Sequence, residues 1–426
     1  MLSTEEKCIE YIHSLSKFGK KAGLSNTEKI LERLGNPHKK LKFIHIAGTN
    51  GKGSTSNMIN NILISHKYKV GYYTSPYIEL FNERICINNE IIPSHDLVEY
   101  TNRVSKVLDD ITPIEFEFIT AMAMLYFYEK NCDIVVLEVG LGGRFDATNV
   151  IDTPLCNVIC PIGHDHTAIL GDTLEKIAFE KAGTIKQNSK VVINPDMHPD
   201  CVGVIKAKCL ETSSELIIPA SVPTDIQYSQ PYTLFKYENL QVKLSLCGKY
   251  QVSNAVTAIE TAKCLRDSLG LTDDDIIDGL RNSFWKCRFE IFNTTPQLVF
   301  DGAHNSHGVE ALMESIDLYF GDKKKIFVFS MLNEKDYEKS IDMICNRADS
   351  IVTTSVPSYR QTSAYDIYEE IKKHTANATY IENPVDALSF ALEQAKQEDA
   401  CVFVFGSLYL AGMLRKYVST LSLLAE

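Results

Sequence analysis

A largely apolar run, residues 43–46, passes directly into Ala47-Gly48-Thr49-Asn50-Gly51-Lys52-Gly53-Ser54-Thr55 and then into the helix-patterned stretch 56–67. A strand, a glycine turn and a helix start in immediate succession form a junction of open α/β folds. Glycines let the backbone turn tightly enough for consecutive N–H groups to face one anion. The helix N-terminus adds its positive dipole, and Lys52 supplies a point charge for phosphate oxygens. Gly48, Thr49, Asn50, Gly51, Lys52, Gly53, Ser54 and Thr55 are therefore candidate phosphate-binding residues, with Ser54 or Thr55 placed to hold Mg²⁺. The match to the general phosphate-loop pattern is imperfect. Gly53 stands where Ser or Thr is expected after Gly51-Lys52, and Ile46 stands where the first glycine belongs.

The rest of the chain repeats the alternation. Strand-like runs at 43–47, 70–74, 133–138, 156–160 and 190–194 are separated by helical patterns, as in a parallel sheet with crossover helices. Residues 116–130 are apolar enough to lie against a sheet, and Asp172-Thr173-Leu174-Glu175 has the spacing of a capping box. Residues 84–92, with Asn88-Asn89 between two β-prone arms, predict a hairpin projecting beside the phosphate loop. Residues 195–235 are weakly patterned and predict loops and short strands. A second series, with strands at 297–300, 325–330, 349–354 and 401–405 and helices near 308–319, 336–346 and 384–396, predicts another α/β domain. The pattern breaks at Asn293-Thr294-Thr295-Pro296, which places the expected division between domains 1–294 and 295–426. Two such domains meeting at a cleft would make a two-substrate site.

At 426 residues, with 45% apolar and 23% charged content, the chain has the makings of two or three folded domains rather than a disordered polymer. A net charge of −12 argues against nonspecific binding to nucleic acid or anionic membrane. The mixed charges of the N-terminal region and the absence of any membrane-length apolar run predict a cytoplasmic location. The twelve cysteines are scattered, several inside strand-like runs, and read as reduced thiols; no Cys-x-x-Cys pair or His/Cys spacing suggests zinc.

Taken in order, the motifs resemble the folylpolyglutamate synthase and dihydrofolate synthase family, within the Mur ligase superfamily of ATP-dependent amide-forming enzymes. The resemblance runs through residues 45–55, Thr74-Ser75-Pro76 with Phe81-Asn82-Glu83-Arg84-Ile85, Phe116-Glu117-Phe118, residues 137–149, Asp165-His166-Thr167 with Leu170-Gly171, Glu180-Lys181-Ala182-Gly183, residues 251–255, Arg288-Phe289 and residues 301–305. Gly51-Lys52-Gly53-Ser54 is closer to the folate branch than to the cell-wall branch, where Gly-Lys-Thr-Thr is usual. The fold implied is α/β: an N-terminal P-loop ATPase domain with a mainly parallel sheet, and a smaller C-terminal Rossmann-like domain.

Several roles follow from the resemblance and can be weighed against simpler readings. Glu138 ends a strand, where its carboxylate can take Mg²⁺ or merely cap the next loop. His166 is a loop histidine, and imidazole is an unusual Mg²⁺ ligand; the resemblance nevertheless matches Ser54, Glu138 and His166 to metal positions. Lys181, among Glu175, Lys176 and Glu180, reads by composition as a solvated helix lysine. By resemblance it falls where related ligases carry an N-carbamylated lysine that can hold a second metal. Asn254 matches an adenine contact, while Arg288 and Asp301 match positions near the nucleotide's phosphates and ribose. His304 and Ser407 fall near the incoming glutamate, and Phe116 and Asp146 near the pterin. Candidate catalytic residues are Lys52, Lys181, Asp301 and His304. Tyr77 and Tyr250 replace histidines common in the family, and Ile114 replaces a residue that is polar in some relatives.

The activity implied is ATP-dependent addition of L-glutamate to a dihydropteroate or folate carboxylate through an acyl phosphate. Both folylpolyglutamate synthase and dihydrofolate synthase activities are expected. The resemblance implies ATP and Mg²⁺, and admits a second ion and a monovalent cation such as K⁺. The expected partners are small molecules, with no nucleic acid or membrane, and the expected state is a monomer. A Mur-type cell-wall amino-acid ligase and a noncatalytic, ATP-controlled interaction module are the alternatives.

Overall fold

The structure is a computed structural model and describes residues 2–16, 23–331, 337–356 and 363–423. It divides into two compact units that interleave in sequence. The first comprises residues 1–222, 237–240 and 253–283; the second comprises 223–236, 241–252 and 284–426. The units therefore do not follow a single cut at 294.

The first unit is built on eight strands: β1 (Phe43–Ala47), β2 (Val70–Tyr73), β3 (Ile85–Ile87), β4 (Glu90–Ile91), β5 (Ile134–Glu138), β6 (Cys156–Ile159), β7 (Lys190–Ile193) and β8 (Glu215–Ile217). Their order is β4-β3-β2-β5-β1-β6-β7-β8. All pairings from β2 to β8 are parallel, and only the β2–β3 and β3–β4 pairs are antiparallel. The chain leaves the central strand β1 toward one edge and returns beside it for the other, so the C-terminal ends of β2, β5, β1 and β6 lie in a row. That row is where open α/β sheets collect ligand-binding groups.

The helix Glu115–Glu129 covers one face, burying Phe118, Ile119, Met122 and Phe127. The expected hairpin forms around Asn88 and Asn89, both left-handed, with φ of 51° and 68°. It does not project, however. It extends the sheet edge, and Asn89 bonds to Asn60 and Asn61 of the helix Lys52–Ser65. Two further expectations are corrected. The helix Leu174–Ala182 is capped by Thr173, whose side chain accepts from Lys176 N, so no capping box runs from Asp172 to Glu175. Residues 195–235 contain a thirteen-residue helix, Pro199–Glu211, with proline in its first turn, a helix-start signal that the weak patterning concealed.

Strands β9 (Thr224–Tyr228), β10 (Thr233–Tyr237) and β11 (Leu240–Leu244) make a small sheet of order β11-β10-β9. The second unit's main sheet comprises β12 (Glu290–Phe292), β13 (Leu298–Phe300), β14 (Lys324–Phe329), β15 (Ser350–Thr353), β16 (Ala378–Tyr380) and β17 (Ala400–Phe405), in the order β12-β13-β17-β14-β15-β16. Every pair is parallel except β12 with β13. Residues 293–296, expected as a domain boundary, form the connection of that antiparallel pair. Aromatic edges fill the core, with Phe403 contacting Phe320 and Phe327 at ring-centroid distances of 5.1 and 5.6 Å. Asp336, at the start of one expected helix, lies outside the described residues; the helix itself is Tyr337–Cys345. All twelve cysteines are free. Among the described residues, no helix is long and apolar enough to cross a membrane.

Candidate active site

In the first unit, β1 delivers the glycine loop to the middle of the sheet. Gly51 is left-handed (φ 80°), a conformation that favours glycine, and a Cβ there would lie 2.6 Å from Asn254 Oδ1. Asn254 is thereby packed on the loop that the sequence assigned to phosphate. Its helix is tied to the sheet by Asn194, whose side-chain amide donates to Ser253 O at 3.2 Å and to Thr257 Oγ1 at 3.0 Å. The loop's other side is held by the segment after β6. Thr49 N and Asn50 N donate to Pro161 O at 2.9 and 3.3 Å, and Thr49 Oγ1 donates to Gly163 O at 3.1 Å.

Both candidate lysines reach the same carbonyl. Lys52 Nζ donates to Gly48 O and to Thr49 O, each at 3.1 Å, and Lys181 Nζ donates to Gly48 O at 2.8 Å. The structure overturns the compositional reading of Lys181 as a surface lysine, since only 4% of it is exposed. Burial, and after it the charge of Lys52, pushes its pKa down to about 7. Near neutrality a large fraction of this lysine is the neutral amine, the form that can add CO₂.

Glu138 ends β5, directly beside β1 with Ile46 as its register partner, and is buried. Thr74, at the end of β2, donates its hydroxyl to Glu138 Oε2 at 2.5 Å. Ser54 is fully buried in the first turns of the loop's helix, and Thr55 N closes that turn on Gly51 O at 2.9 Å. His166 follows β6 in a left-handed conformation (φ 49°), with Nε2 at 3.7 Å from Asp165 Oδ1. Among the described residues, no three His, Cys, Asp or Glu side chains form a ready metal cluster. The hydroxyl of Ser54 and the carboxylate of Glu138 are hard oxygen donors, which fits Mg²⁺, an ion that keeps waters and shares phosphate oxygens rather than needing an all-protein cage.

Asp146 is buried, which raises its pKa, and four donors counter that rise. Gly140 N and Leu141 N bond to Oδ2 at 3.1 and 2.9 Å, and Thr148 N and Oγ1 bond to Oδ1 at 3.0 and 2.5 Å. Its carboxylate thus shapes the loop after β5. Phe116 packs on the same loop, with its ring where a side chain at Gly140 would go.

In the second unit, Asp301 follows β13, and Gly406-Ser407 follow the adjacent parallel strand β17. Asp301 accepts from Tyr250 Oη at 2.8 Å, Phe289 N at 2.7 Å and Ala303 N at 2.7 Å. Arg288 sits between two left-handed residues, Cys287 (φ 53°) and Phe289 (φ 49°), and its guanidinium fills the space that a side chain at Gly302 would need. Glu290 stabilises this strained turn by accepting from Cys287 N at 2.9 Å while Arg415 grips it through Nε and Nη2, both at 2.7 Å. His304 Nδ1 lies 2.8 Å from Gly302 O, which can only accept, so that nitrogen is the donor of the pair. Ser407 Oγ is buried and has no hydrogen-bond partner among the described residues.

The structure therefore gathers Gly48 to Thr55, Lys181 and Asn254 around one loop, with Glu138 on the adjoining strand. It gathers Arg288, Asp301 and His304 around another. Sequence reasoning assigned no role to Thr74, Asp165, Thr148 or the Glu290–Arg415 clamp. Thr74 carried a signal, a hydroxyl at a strand's C-terminal end. Arg415 carried none, being 125 residues from its partner.

Residues 46–262 match the Mur ligase middle domain, and residues 287–408 match the Mur ligase glutamate ligase domain. The dihydrofolate synthase/folylpolyglutamate synthase of Bacillus subtilis strain 168 is 36% identical over 98% of this chain and 99% of its own length. The crystal structure of folylpolyglutamate synthase from Thermotoga maritima superposes with a TM-score of 0.84 at 34% identity, covering 98% of this chain and 97% of that one. The Mycobacterium tuberculosis folylpolyglutamate synthase, complexed with ADP and AMPPCP, gives 0.90 at 26% identity, covering 97% and 98%. With both domains in order and over a third of its residues shared along its length with one such enzyme, the chain belongs to the folylpolyglutamate synthase/dihydrofolate synthase family of Mur ligases.

Proposed function

We propose that this ATP-dependent ligase adds L-glutamate both to dihydropteroate and to the γ-carboxylate of folates, so that one chain makes dihydrofolate and lengthens its glutamate tail. The ATP-dependent part of the reading is carried by the meeting of Lys52 and Lys181 on the Gly48 carbonyl, one strand away from the buried carboxylate of Glu138, and the dual activity is supported by the 36% identity to a relative named for both activities.

A free carboxylate has no leaving group that an amine can displace. The γ-phosphoryl of ATP is therefore passed to it, giving an acyl phosphate and ADP. The α-amine of glutamate then adds to the acyl carbon, and the tetrahedral intermediate expels phosphate as the amine's proton is lost. Lys52, which rests on the carbonyls of its own loop, is the group that turns to the β/γ-phosphate oxygens, and Asn254 reads the adenine. Arg288, fixed by its strained turn, balances charge developing on the transferred phosphoryl group. His304 orients the incoming amine through Nε2, with Ser407 beside the glutamate. Phe116 and the loop shaped by Asp146 face the pterin. Ser54, Glu138, His166 and an N-carbamylated Lys181 would hold one or two Mg²⁺ ions, which supply neutralising charge to the phosphates; a monovalent cation such as K⁺ is a further candidate.

We assign ATP chemistry to residues 1–294 and glutamate addition to 295–426, with Arg288 and the turn at 287–290 serving the first function from within the second compact unit. The enzyme is proposed to act as a cytoplasmic monomer on small molecules. Phosphate release tests the reading: it should require ATP, L-glutamate and either dihydropteroate or a folate. Release with a folate but not with dihydropteroate would leave a monofunctional tail-lengthening enzyme. Release without either would remove the folate reading.

A further inference from the structure

The least expected partner of Asp301 is Tyr250, in the first turn of the helix Lys249–Leu269. Family resemblance marks this position as one where histidine is common. The two other donors to Asp301 are backbone N–H groups, Phe289 N on Oδ2 and Ala303 N on Oδ1, and they would survive almost any substitution. The Tyr250 hydroxyl is the side-chain donor of the set, 2.8 Å from Oδ2. It shares that oxygen with Phe289 N, and the charge of Arg288 acts on the same carboxylate.

We infer that Tyr250 is a positioning residue that fixes the rotamer and the ionised state of the Asp301 carboxylate. The inference rests on the reading of Asp301 as a site residue. Asp301 is 4% exposed, and a buried carboxylate is costly to ionise unless donors and positive charge surround it. Burial raises its pKa; the Arg288 charge, the Tyr250 hydroxyl and the two backbone donors lower it. The titratable and charged groups around it include Arg288 and Cys287 on the turn, Tyr250 with Cys247 beyond it, and His304, three residues along the same loop with its ring on Gly302 O. Burial, followed by the charge of Asp301, holds the phenol well above its ordinary range, so Tyr250 keeps its proton and donates at every pH where the enzyme works. A histidine there would titrate near neutrality and add a positive charge beside Asp301 on the acid side.

The test is the pH profile of kcat/KM for ATP in Tyr250→Phe, Tyr250→His and Asp301→Asn, each checked for folding by circular dichroism. Tyr250→Phe keeps the ring and removes only the hydroxyl. It should lower kcat/KM by about 10- to 100-fold, the value of a hydrogen bond to a charged group. It should also move the acid limb to higher pH, because Asp301 protonates more readily. Tyr250→His should recover most of the activity and move the acid limb to lower pH. Should Tyr250→Phe fail to fold, the histidine variant alone decides, since an unmoved limb there overturns the inference. An impaired Asp301→Asn beside a Tyr250→Phe enzyme with wild-type rate and limb overturns the positioning role while leaving Asp301 in the site. A fully active Asp301→Asn removes both. A Tyr250→His variant as impaired as Tyr250→Phe would assign the effect to ring packing, which also overturns the inference.

Discussion

Lys52 and Lys181 share one carbonyl, and this decides what their substitution should do. Lys52 and Ser54 are polar side chains in the first turn of the loop's helix rather than members of the apolar core, so Lys52→Ala and Ser54→Ala should fold normally yet lose roughly 10²–10³ in kcat, as when a preorganised charge-stabilising donor is removed. Near-normal turnover at saturating MgATP in either folded variant would contradict the loop's assignment. On the proposal that Lys181 is N-carbamylated, Lys181→Ala should also lose activity, and formate or acetate should restore part of the rate by standing in for the carbamate's carboxylate. The same lysine leaves a signature in stability. Its folded pKa of about 7 lies below the ordinary lysine value of 10.5, so between those limits the unfolded chain binds a proton that the folded chain does not. Stability contributed at this site therefore rises as pH increases from 7 to 10.5, and the full penalty is present below 7. In metal- and carbonate-free buffer, denaturant titrations of Lys181→Met should lack that rise. A slope equal to wild type would show that the buried ammonium costs the fold nothing.

At the scale of elements, the helix that begins at the phosphate loop is held by the helix Asp273–Arg281 packed against it, and Gly279 lets the two backbones approach closely. A Cβ there would fall 2.5 Å from both the backbone N and the Cα of Ile62. Backbone cannot step aside as a flexible side chain can, so Gly279→Ala should destabilise by about 1–3 kcal/mol. Gly203, inside the helix Pro199–Glu211, has nothing within 4 Å of its would-be Cβ. Gly203→Ala should stabilise by about 0.5–1 kcal/mol from helix propensity alone. Urea midpoints of the two variants should move in opposite directions; movement in the same direction would mean that the close approach is not what Gly279 serves. The elements also show where periodicity stops being informative. Strands β1, β5, β6, β7 and β17, buried on both faces, were legible as apolar runs to within a residue or so. The helix Pro199–Glu211 was not, because Gly203 and its valines weaken the helical pattern. The short strands β12 and β16 were missed because three residues carry no period.

For the whole molecule, the division of labour predicts separable kinetic defects. Asn254→Ala and Arg288→Ala should raise KM for ATP before they affect glutamate. His304→Ala should impair glutamate use more than ATP binding, because losing the group that orients the amine forfeits part of the proximity advantage. Steady-state kinetics with the two substrates varied separately check this. A His304→Ala enzyme altered only in KM for ATP would refute the assignment.

The sequence alone determined the α/β class, the strand-loop-helix junction at residues 43–67 and the family, and it proposed the short list of site residues from Lys52 to His304. All of these depend on local spacing and on the order of motifs, which a linear chain displays. Only the tertiary structure decided that Lys181 is buried rather than solvated and that Asn254 rests on Gly51. The same holds for Tyr250 bonding to Asp301, and for Glu290 with Arg415 clamping the turn that aims Arg288. Each of these depends on desolvation or on contact between residues dozens to hundreds of positions apart, and a group's protonation and orientation are set by what packs around it rather than by its neighbours in the chain.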